Sequence, residues 1–306
     1  MPGLEWLMQQ KILDILKSNG LGSPEAIVRV SNEELRKIND IGKKEIQEIR
    51  QQYGPPLIGW PVDEQCKFLG IPYQKLKAKW DGHGFDRFNW YCEHKNKWVY
   101  PEDYVLNSYI ADGWQGVNCE GRFIHTILKL LTQDKLDGYW CLDYFYLTES
   151  ARYSDENLIH HQKRIQKSIP NFQASTEKDL IERFEYCKNP QPKNDEYGRP
   201  MPCFHHATNW PTDLIVNAYR ALGREVLSEI LKLLIAGGEK RKYGWPDLTL
   251  VKNGTIKFIE VKTRDRLGKA QIDLWDSILK PLGFDVTVVQ LTPQLLVDLP
   301  SMNQES

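Results

Sequence analysis

Several features that mark particular protein classes are missing from this sequence of 306 residues. It contains no run of roughly 18 apolar residues, so we expect neither a transmembrane helix nor a signal peptide. Its six cysteines include no CxxC pair, which argues against a zinc ribbon and against a disulfide framework. We therefore expect no membrane partner and a reducing, intracellular location, cytoplasmic in a prokaryote or virus and nuclear in a eukaryote.

An excess of basic residues is missing as well. Forty Lys and Arg face 41 Asp and Glu, which gives a formal net charge of -1, and 41% of the residues are hydrophobic. This balance predicts a folded globular chain without a general attraction for polyanions. The charge is unevenly distributed, however, because residues 239–269 contain nine basic and four acidic side chains, a local net charge of +5. A basic face in this segment would bind nucleic acid with an affinity that falls as salt rises.

The first 56 residues carry the signals of a helical module. Leucine and isoleucine recur at helical spacing, Ser23-Pro24 marks a helix start, and residues 31–34 form a capping box. The turn over residues 39–44 resembles a helix-hairpin-helix element, whose amides and following lysines contact a DNA phosphate. The resemblance implies that Lys43 and Lys44 bind DNA, and the alternative is a role in packing or in binding a partner protein.

The rest of the chain divides into two stretches with different patterns. Residues 57–100 are rich in aromatic residues, Gly, His and Asp without a clean period, which predicts a loop-rich linker or a platform for DNA. Apolar residues at helical spacing begin near residue 101, and one long helix is predicted from about 211 to 235. We predict a second domain over residues 101–300, with a helical insertion at about 135–210.

The segment after residue 243 predicts a β-hairpin. Two apolar runs flank Asn253-Gly254, a dipeptide typical of two-residue hairpin turns. The pairing places Asp247 at the start of one strand and Glu260 near the end of its antiparallel neighbour. Since side chains alternate along a strand, Glu260 and Lys262 share one face, opposite to Val261. Converging carboxylates are typical of a Mg²⁺ or Mn²⁺ site, and the alternative is an ordinary solvated edge strand.

Together these residues resemble a known nuclease signature. Pro246-Asp247 followed by Glu260-Val261-Lys262 is similar to the PD-(D/E)xK motif. Residues 244–248, with Asp265-Arg266-Leu267 farther on, resemble the VRR-NUC branch of these nucleases and are most similar to the Fanconi-associated nucleases. The resemblance implies a mixed α/β fold, in which a restriction-endonuclease-like αβββαβ core follows the helical N-terminal module.

The resemblance also implies a set of metal ligands. Residues 113–121, followed by an apolar helix, resemble the segment in which the family carries its first acidic ligand, and this residue corresponds to Glu120. Glu120, Asp247, Glu260 and the carbonyl group of Val261 would then hold one or two Mg²⁺ or Mn²⁺ ions. Such ions activate water and neutralise charge on a phosphate.

Further roles follow from the same resemblance. Lys262 would lie against the attacking water or the scissile phosphate. Gln271 would orient water or form a hydrogen bond with Lys262, and the alternative for Gln271 is an ordinary exposed helix position. The basic residues expected to contact the DNA backbone are Lys240, Arg241, Lys242, Arg264, Arg266 and Lys269.

These expectations describe a metal-dependent, structure-selective nuclease that cleaves phosphodiester bonds in branched DNA of the 5′-flap type, during repair or replication. Two alternatives remain. One is a Holliday-junction resolvase that acts as a dimer, and the other is a DNA-binding adaptor without catalytic activity. The sequence leaves the oligomeric state open.

Overall fold

The computed structural model describes residues 2–83, 89–132, 166–188, 209–237 and 243–295. Contacts within the chain divide it into two units. The first unit contains Met1–Ile71 and Asp265–Lys269, and the second contains Pro72–Arg264 and Ala270–Ser306. The short segment after the predicted Glu260-Val261-Lys262 motif is therefore part of the first unit.

The first unit is built from helices. They are α1 (Pro2–Ser18), α2 (Pro24–Arg29), α3 (Asn32–Arg36), α4 (Lys43–Tyr53) and α5 (Val62–Leu69), with a 3-10 turn at Leu57–Gly59. The side chain of Ser23 caps α2, and Ser31 and Glu34 form the predicted capping box of α3. The first four helices share a core that contains Ile12, Leu16, Ile27, Leu35, Ile41, Ile46 and Ile49. The prediction of a helical N-terminal region is confirmed.

The second unit contains a mixed β-sheet. Its strands are β1 (Tyr73–Trp80), β2 (Trp90–Cys92), β3 (Lys97–Val99), β4 (Gln115–Asn118), β5 (Leu248–Lys252), β6 (Thr255–Lys262) and β7 (Asp285–Leu295). Over the described residues the strand order is β3-β2-β1-β7-β6-β5-β4. Strands β1, β7 and β6 are parallel, and the other neighbours are antiparallel. The carboxyl ends of β1, β6 and β7 therefore lie at the same edge of the sheet.

Helices cover both faces of this sheet. They are α6 (Pro101–Ala111), α7 (Arg122–Thr132), α8 (described over 166–174), α9 (Glu177–Lys188), α10 (Thr212–Gly237) and α11 (Lys269–Leu274), which continues as a π-helix over Trp275–Leu279. Val105 of α6 packs in a core with Ile259 and Val261. On the other face of β6, Phe258 contacts Trp245, which contacts a histidine of α7. The order α6-β4-β5-β6-α11-β7 is the predicted αβββαβ core, and α7 to α10 lie between β4 and β5.

Two expectations about local structure need correction. The helix expected over 211–235 is interrupted at Gly223, where φ is 73° and ψ is 159°, because glycine without a Cβ adopts this conformation at little cost. Residues 57–100 were expected to form a loop-rich linker or a platform for DNA, and the high loop content is wrong because they contain α5 and three strands. Strands β2 and β3 have three residues each, which is too short for an alternating pattern to be recognised.

Two findings bear on the expectations from composition. Within the described ranges, no helix combines the length and the apolar character that crossing a membrane requires. The cysteines in those ranges, Cys66, Cys92, Cys119 and Cys187, are buried thiols. Cys141 and Cys203 lie outside the described residues.

Candidate active site

The β5–β6 hairpin brings the two predicted acidic residues of the motif together. Asn253 and Gly254 form its turn with φ values of 51° and 75°, as a tight hairpin requires. Leu248 pairs with Ile259, so Asp247 lies beside the end of β6. Asp247 Oδ2 accepts a hydrogen bond of 2.7 Å from Val261 N–H. The turn chemistry of the hairpin thus fixes the position of this carboxyl group.

Glu260 and Lys262 are both buried on the same face of β6. Only 4% of Glu260 and 5% of Lys262 are exposed, and Lys262 Nζ lies 2.8 Å from Glu260 Oε1. The side-chain amide of Gln271 on α11 donates to the same oxygen of Glu260. The sequence indicates the shared face, but the burial depends on residues outside the hairpin, such as Gln271. Because little water reaches these groups, their charges interact strongly with one another and with any ligand.

Asp247 has a perturbed protonation equilibrium. Burial raises its pKa to about 8, and the negative charge of Glu260 also raises it. The hydrogen bond from Val261 N–H and the charge of Lys262 act in the opposite direction, while Glu102 of α6 adds a smaller upward contribution. In the metal-free protein the Asp247 carboxyl group therefore holds its proton at neutral pH. A positive charge in addition to that of Lys262 would favour the carboxylate form at neutral pH.

Glu120 lies next to Asp247 through its backbone. The N–H groups of Cys119 and Glu120 donate to the carbonyl oxygen of Asp247, at 2.9 Å and 3.2 Å. Gly121 follows with φ of 76°, and a Cβ atom there would lie 2.3 Å from Trp245 Cβ, so only glycine fits. The Glu120 side chain is exposed. Over the described part of the chain, no three His, Cys, Asp or Glu side chains are grouped so that they could hold a metal ion.

A second glycine sets the distance between the segments that carry Asp247 and Gln271. Gly244 has φ of 86°, and a Cβ atom at this position would lie 2.2 Å from the carbonyl oxygen of Ala270. The backbone before β5 therefore passes directly against the backbone at the start of α11. Any larger residue would push these two segments apart.

The sequence did not predict the residues that support the chain just after Lys262. Tyr73 of β1 donates its hydroxyl hydrogen to Gln290 Oε1 on β7, and Gln290 Nε2 donates to the carbonyl oxygen of Thr263 at 2.8 Å. Gln290 interrupts an apolar run of Val288, Val289 and Leu291 in β7, and this interruption was a usable signal. Tyr73 has no local signal, because its partner is 217 residues away along the chain.

The basic residues predicted to contact DNA after the motif have different environments. Lys240, Arg241 and Lys242 lie outside the described residues, and Arg264 is exposed. Arg266 donates to the carbonyl oxygen of Gly59, and Lys269 Nζ lies 3.0 Å from Glu34 Oε1. Arg266 and Lys269 thus take part in contacts within the first unit, where they attach the segment Asp265–Lys269 to its helices.

The turn that resembles a helix-hairpin-helix element carries an acidic group. Glu45 Oε2 accepts a hydrogen bond of 2.9 Å from Gly42 N–H, which lies at the start of α4. Lys43 and Lys44 are exposed, and Lys44 Nζ lies 4.0 Å from Glu48 Oε1. A carboxylate therefore accepts a hydrogen bond from one of the amides expected to face a phosphate. The predicted DNA contact at this turn would then rest on the two exposed lysines.

The donor atoms at the end of the hairpin fit a hard divalent cation. Asp247 and Glu260 supply carboxyl groups, and the backbone carbonyl group of Val261 follows Glu260 in the chain. Oxygen ligands of this kind are preferred by Mg²⁺ and Mn²⁺.

Comparisons with known proteins give one matching domain family and two structures of similar fold. Residues 173–292 match the VRR-NUC domain, and no curated protein sequence matches the chain. The fold resembles a crystal structure of paFAN1 bound to DNA with a 2-nt 5′ flap and a gap, with a TM-score of 0.50. The two sequences are 15% identical, and the match covers 96% of this chain and 54% of the paFAN1 chain. A paFAN1 structure with a 1-nt flap matches with 16% identity over 92% of this chain and 48% of that chain, and a TM-score of 0.46. The chain thus spans about half the length of the paFAN1 chains.

Proposed function

We propose that this chain, whose residues 173–292 match the VRR-NUC domain, is a divalent-metal-dependent, structure-selective DNA nuclease. The observation that carries the proposal is the cluster of Asp247, Glu260 and Lys262, which lies inside the matched segment. Hydrolysis of a phosphodiester bond requires an activated water and positive charge near the developing negative charge of the phosphate. The cluster offers side chains for both requirements.

The acidic residues would hold the metal ions. Asp247, Glu260, Glu120 and the carbonyl group of Val261 would be the ligands for one or two Mg²⁺ or Mn²⁺ ions. A bound divalent ion supplies Lewis acidity, which lowers the pKa of a water molecule and neutralises charge on the phosphate. Asp247 would have to release its proton to serve as a ligand, because metal-binding carboxyl groups must be ionised.

The remaining side chains act on the substrate and on Glu260. Lys262 carries a positive charge in a place with little water, so its ammonium group would donate a hydrogen bond to a phosphate oxygen or to the attacking water. Gln271 is a positioning residue, because its amide donates to Glu260 Oε1. Glu260 is thereby oriented from two sides, by an amide and by the ammonium group of Lys262.

Branched DNA of the 5′-flap type is the substrate that we consider first, in a reaction of DNA repair or replication. The likeness in fold to paFAN1, which was crystallised with 5′-flap DNA, supports this choice. The local charge of +5 over residues 239–269 supports a polyanionic substrate as well.

A cleavage assay with matched variants tests the proposal. Labelled 5′-flap DNA is incubated with the wild type, Asp247→Asn and Lys262→Met, in Mg²⁺, in Mn²⁺ and in chelator. We expect cleavage by the wild type only with metal, and a decrease of at least about 100-fold in both variants, since each loses a group that stabilises the transition state. Asp112→Asn, which changes an exposed carboxylate of the second unit, is the control and should cleave at the wild-type rate. Wild-type activity in Asp247→Asn would refute the catalytic assignment.

The same assay separates the two alternatives. A resolvase would cleave a four-way junction in preference to a flap and would be a dimer by native mass spectrometry. An adaptor would bind branched DNA but cleave none of these substrates in either metal.

A further inference from the structure

Strand β1 carries a row of lysines on one face. Lys75, Lys77 and Lys79 alternate with Leu76 and Ala78, and successive side chains of a strand point to opposite faces. Ala78 and Leu76 pack in the core of the second unit, so the lysines point away from it. Lys75 and Lys77 are exposed, and 41% of the Lys79 side chain is exposed. The row extends over roughly 13 Å, since four residues separate its ends and each residue of a strand rises about 3.3 Å.

This row lies on the sheet face that carries Glu260 and Lys262. Lys75 pairs with Gln290 of β7, and Gln290 pairs with Lys262 of β6, so the three residues form one line across the parallel strands. Neighbouring strands are about 4.8 Å apart, which separates the Cα atoms of Lys75 and Lys262 by roughly 10 Å. Strand β6 ends at Lys262, whereas β1 continues in the same direction. Lys77 and Lys79 therefore lead away from the candidate active site.

The row ends at two aromatic side chains. Lys79 Nζ lies 5.9 Å from the ring centre of Tyr91, and the rings of Tyr91 and Trp98 are 5.3 Å apart in an edge-to-face arrangement. Both aromatic residues are partly exposed. Their immediate neighbours in β2, Trp90 and Cys92, are buried, and Trp90 packs in the core with Ala78. Tyr91 and Trp98 thus belong to the same face as the lysines.

We propose that this face, which consists of Lys75, Lys77, Lys79, Tyr91 and Trp98, binds the single-stranded arm of a branched DNA next to the active site. The inference rests on the proposed nuclease function and adds the substrate element that the sheet holds. A line of cations that follows a phosphate backbone, together with aromatic rings on which bases stack, is the arrangement used for single-stranded nucleic acids. A duplex would use the cations but would not present its base faces to Tyr91 and Trp98.

One acidic side chain competes with DNA at the outer end of the row. Glu93 Oε1 lies 2.6 Å from Lys79 Nζ, and both groups are largely exposed to water. An exposed ion pair of this kind contributes little and is easily exchanged for another anion. Lys75 and Lys77 form the part of the row closest to Lys262, and they should make the stronger contribution to DNA binding.

Binding of a fluorescent single-stranded oligothymidine, measured by anisotropy at several salt concentrations without metal, tests the proposal. The variants are the double change Lys75→Ala with Lys77→Ala, and the double change Tyr91→Leu with Trp98→Leu. Each phosphate contact on a single strand contributes about 0.7 to the slope of log K against log salt, so the lysine variant should lose about 1.4 from the slope. Loss of stacking should weaken binding by about 5- to 150-fold per stacked base.

Lys97→Ala is the matched control. Lys97 is an exposed lysine on β3, and it pairs with Cys92, which places it on the opposite face of the same sheet. We expect wild-type affinity and an unchanged salt slope for this variant. Thermal unfolding followed by circular dichroism verifies that all variants fold equally well.

The outcomes distinguish this proposal from the proposed function. If the lysine and aromatic variants bind oligothymidine as the wild type does, the single-strand site is refuted even when flap DNA is cleaved. A second outcome is that the variants bind oligothymidine weakly and the wild type binds it tightly, while the wild type cleaves no DNA. This outcome would support the single-strand site and refute the nuclease assignment. An equal loss for blunt duplex and for oligothymidine would also contradict the proposal, because it would indicate a general cationic surface.

Discussion

Replacing Asp247 by Asn should stabilise the metal-free protein while it abolishes cleavage. Burial raises the pKa of this carboxyl group from 3.8 to about 8, so the folded chain binds one more proton than the unfolded chain between these pH values. The contribution of the neutral Asp247 carboxyl group to the free energy of unfolding is fully present below about pH 3.8. It is lost as pH rises towards 8, by about 1.4 kcal/mol per pH unit. At pH 7 the accumulated loss is roughly 4 kcal/mol, which is the largest gain that Asp247→Asn could give. The amide oxygen of Asn can still accept the hydrogen bond from Val261 N–H.

The measurement is urea unfolding of the wild type and of Asp247→Asn with chelator, at several values from about pH 5 to about pH 8. The difference in free energy of unfolding between the two proteins should grow as pH rises. Asp112→Asn removes an exposed carboxylate from the same unit and should follow the wild-type profile. Parallel profiles for the wild type and Asp247→Asn would show that burial of this carboxyl group has no energetic consequence, and the reasoning would be wrong.

The remaining predictions concern close contacts inside each unit. Gly244→Ala should destabilise the protein by about 3 kcal/mol or more, since its Cβ would lie 2.2 Å from the carbonyl oxygen of Ala270 and φ is 86°. Gly254→Ala should lower the free energy of unfolding by only about 1 kcal/mol, because φ is 75° but no atom lies within 4 Å of the added Cβ. Equal unfolding midpoints for the Gly244 and Gly254 variants would contradict this account. Gln65→Leu removes hydrogen bonds to both backbone groups of Leu267 and should cost about 1–3 kcal/mol for each group left unpaired. Faster hydrogen exchange at the Leu267 amide would verify this effect, and unchanged exchange would refute it.

Much of the candidate site could be predicted because its signals are local. The turn at Asn253-Gly254 sets the register of β5 and β6, and alternation along β6 sets which side chains share a face. The capping box of Ser31 and Glu34 is formed within four residues, and the structure contains it. In each case the interaction partners are close in sequence, so a short pattern was sufficient.

Other features could not be predicted because they depend on distant segments. Tyr73 and Gln290 are 217 residues apart, and they meet only because β1 pairs with β7 in parallel. The burial of Glu260 and Lys262 likewise depends on residues outside the hairpin, such as Gln271. The charge statistics also failed to identify the lysine row of β1, since alternate residues form a patch only when a strand is placed beside other strands.

The sequence by itself determined the hairpin and the shared face of Glu260 and Lys262, since turn propensity and side-chain alternation act over a few residues. The αβββαβ order was implied by the resemblance of the motif to a known nuclease family. Only the tertiary structure decided that these charges are buried and that the pKa of Asp247 rises to about 8. The tertiary structure also placed Lys75 in line with Lys262. The physical reason is that desolvation and pairing between distant strands depend on the surroundings of a residue in space, and a local sequence pattern contains no record of them.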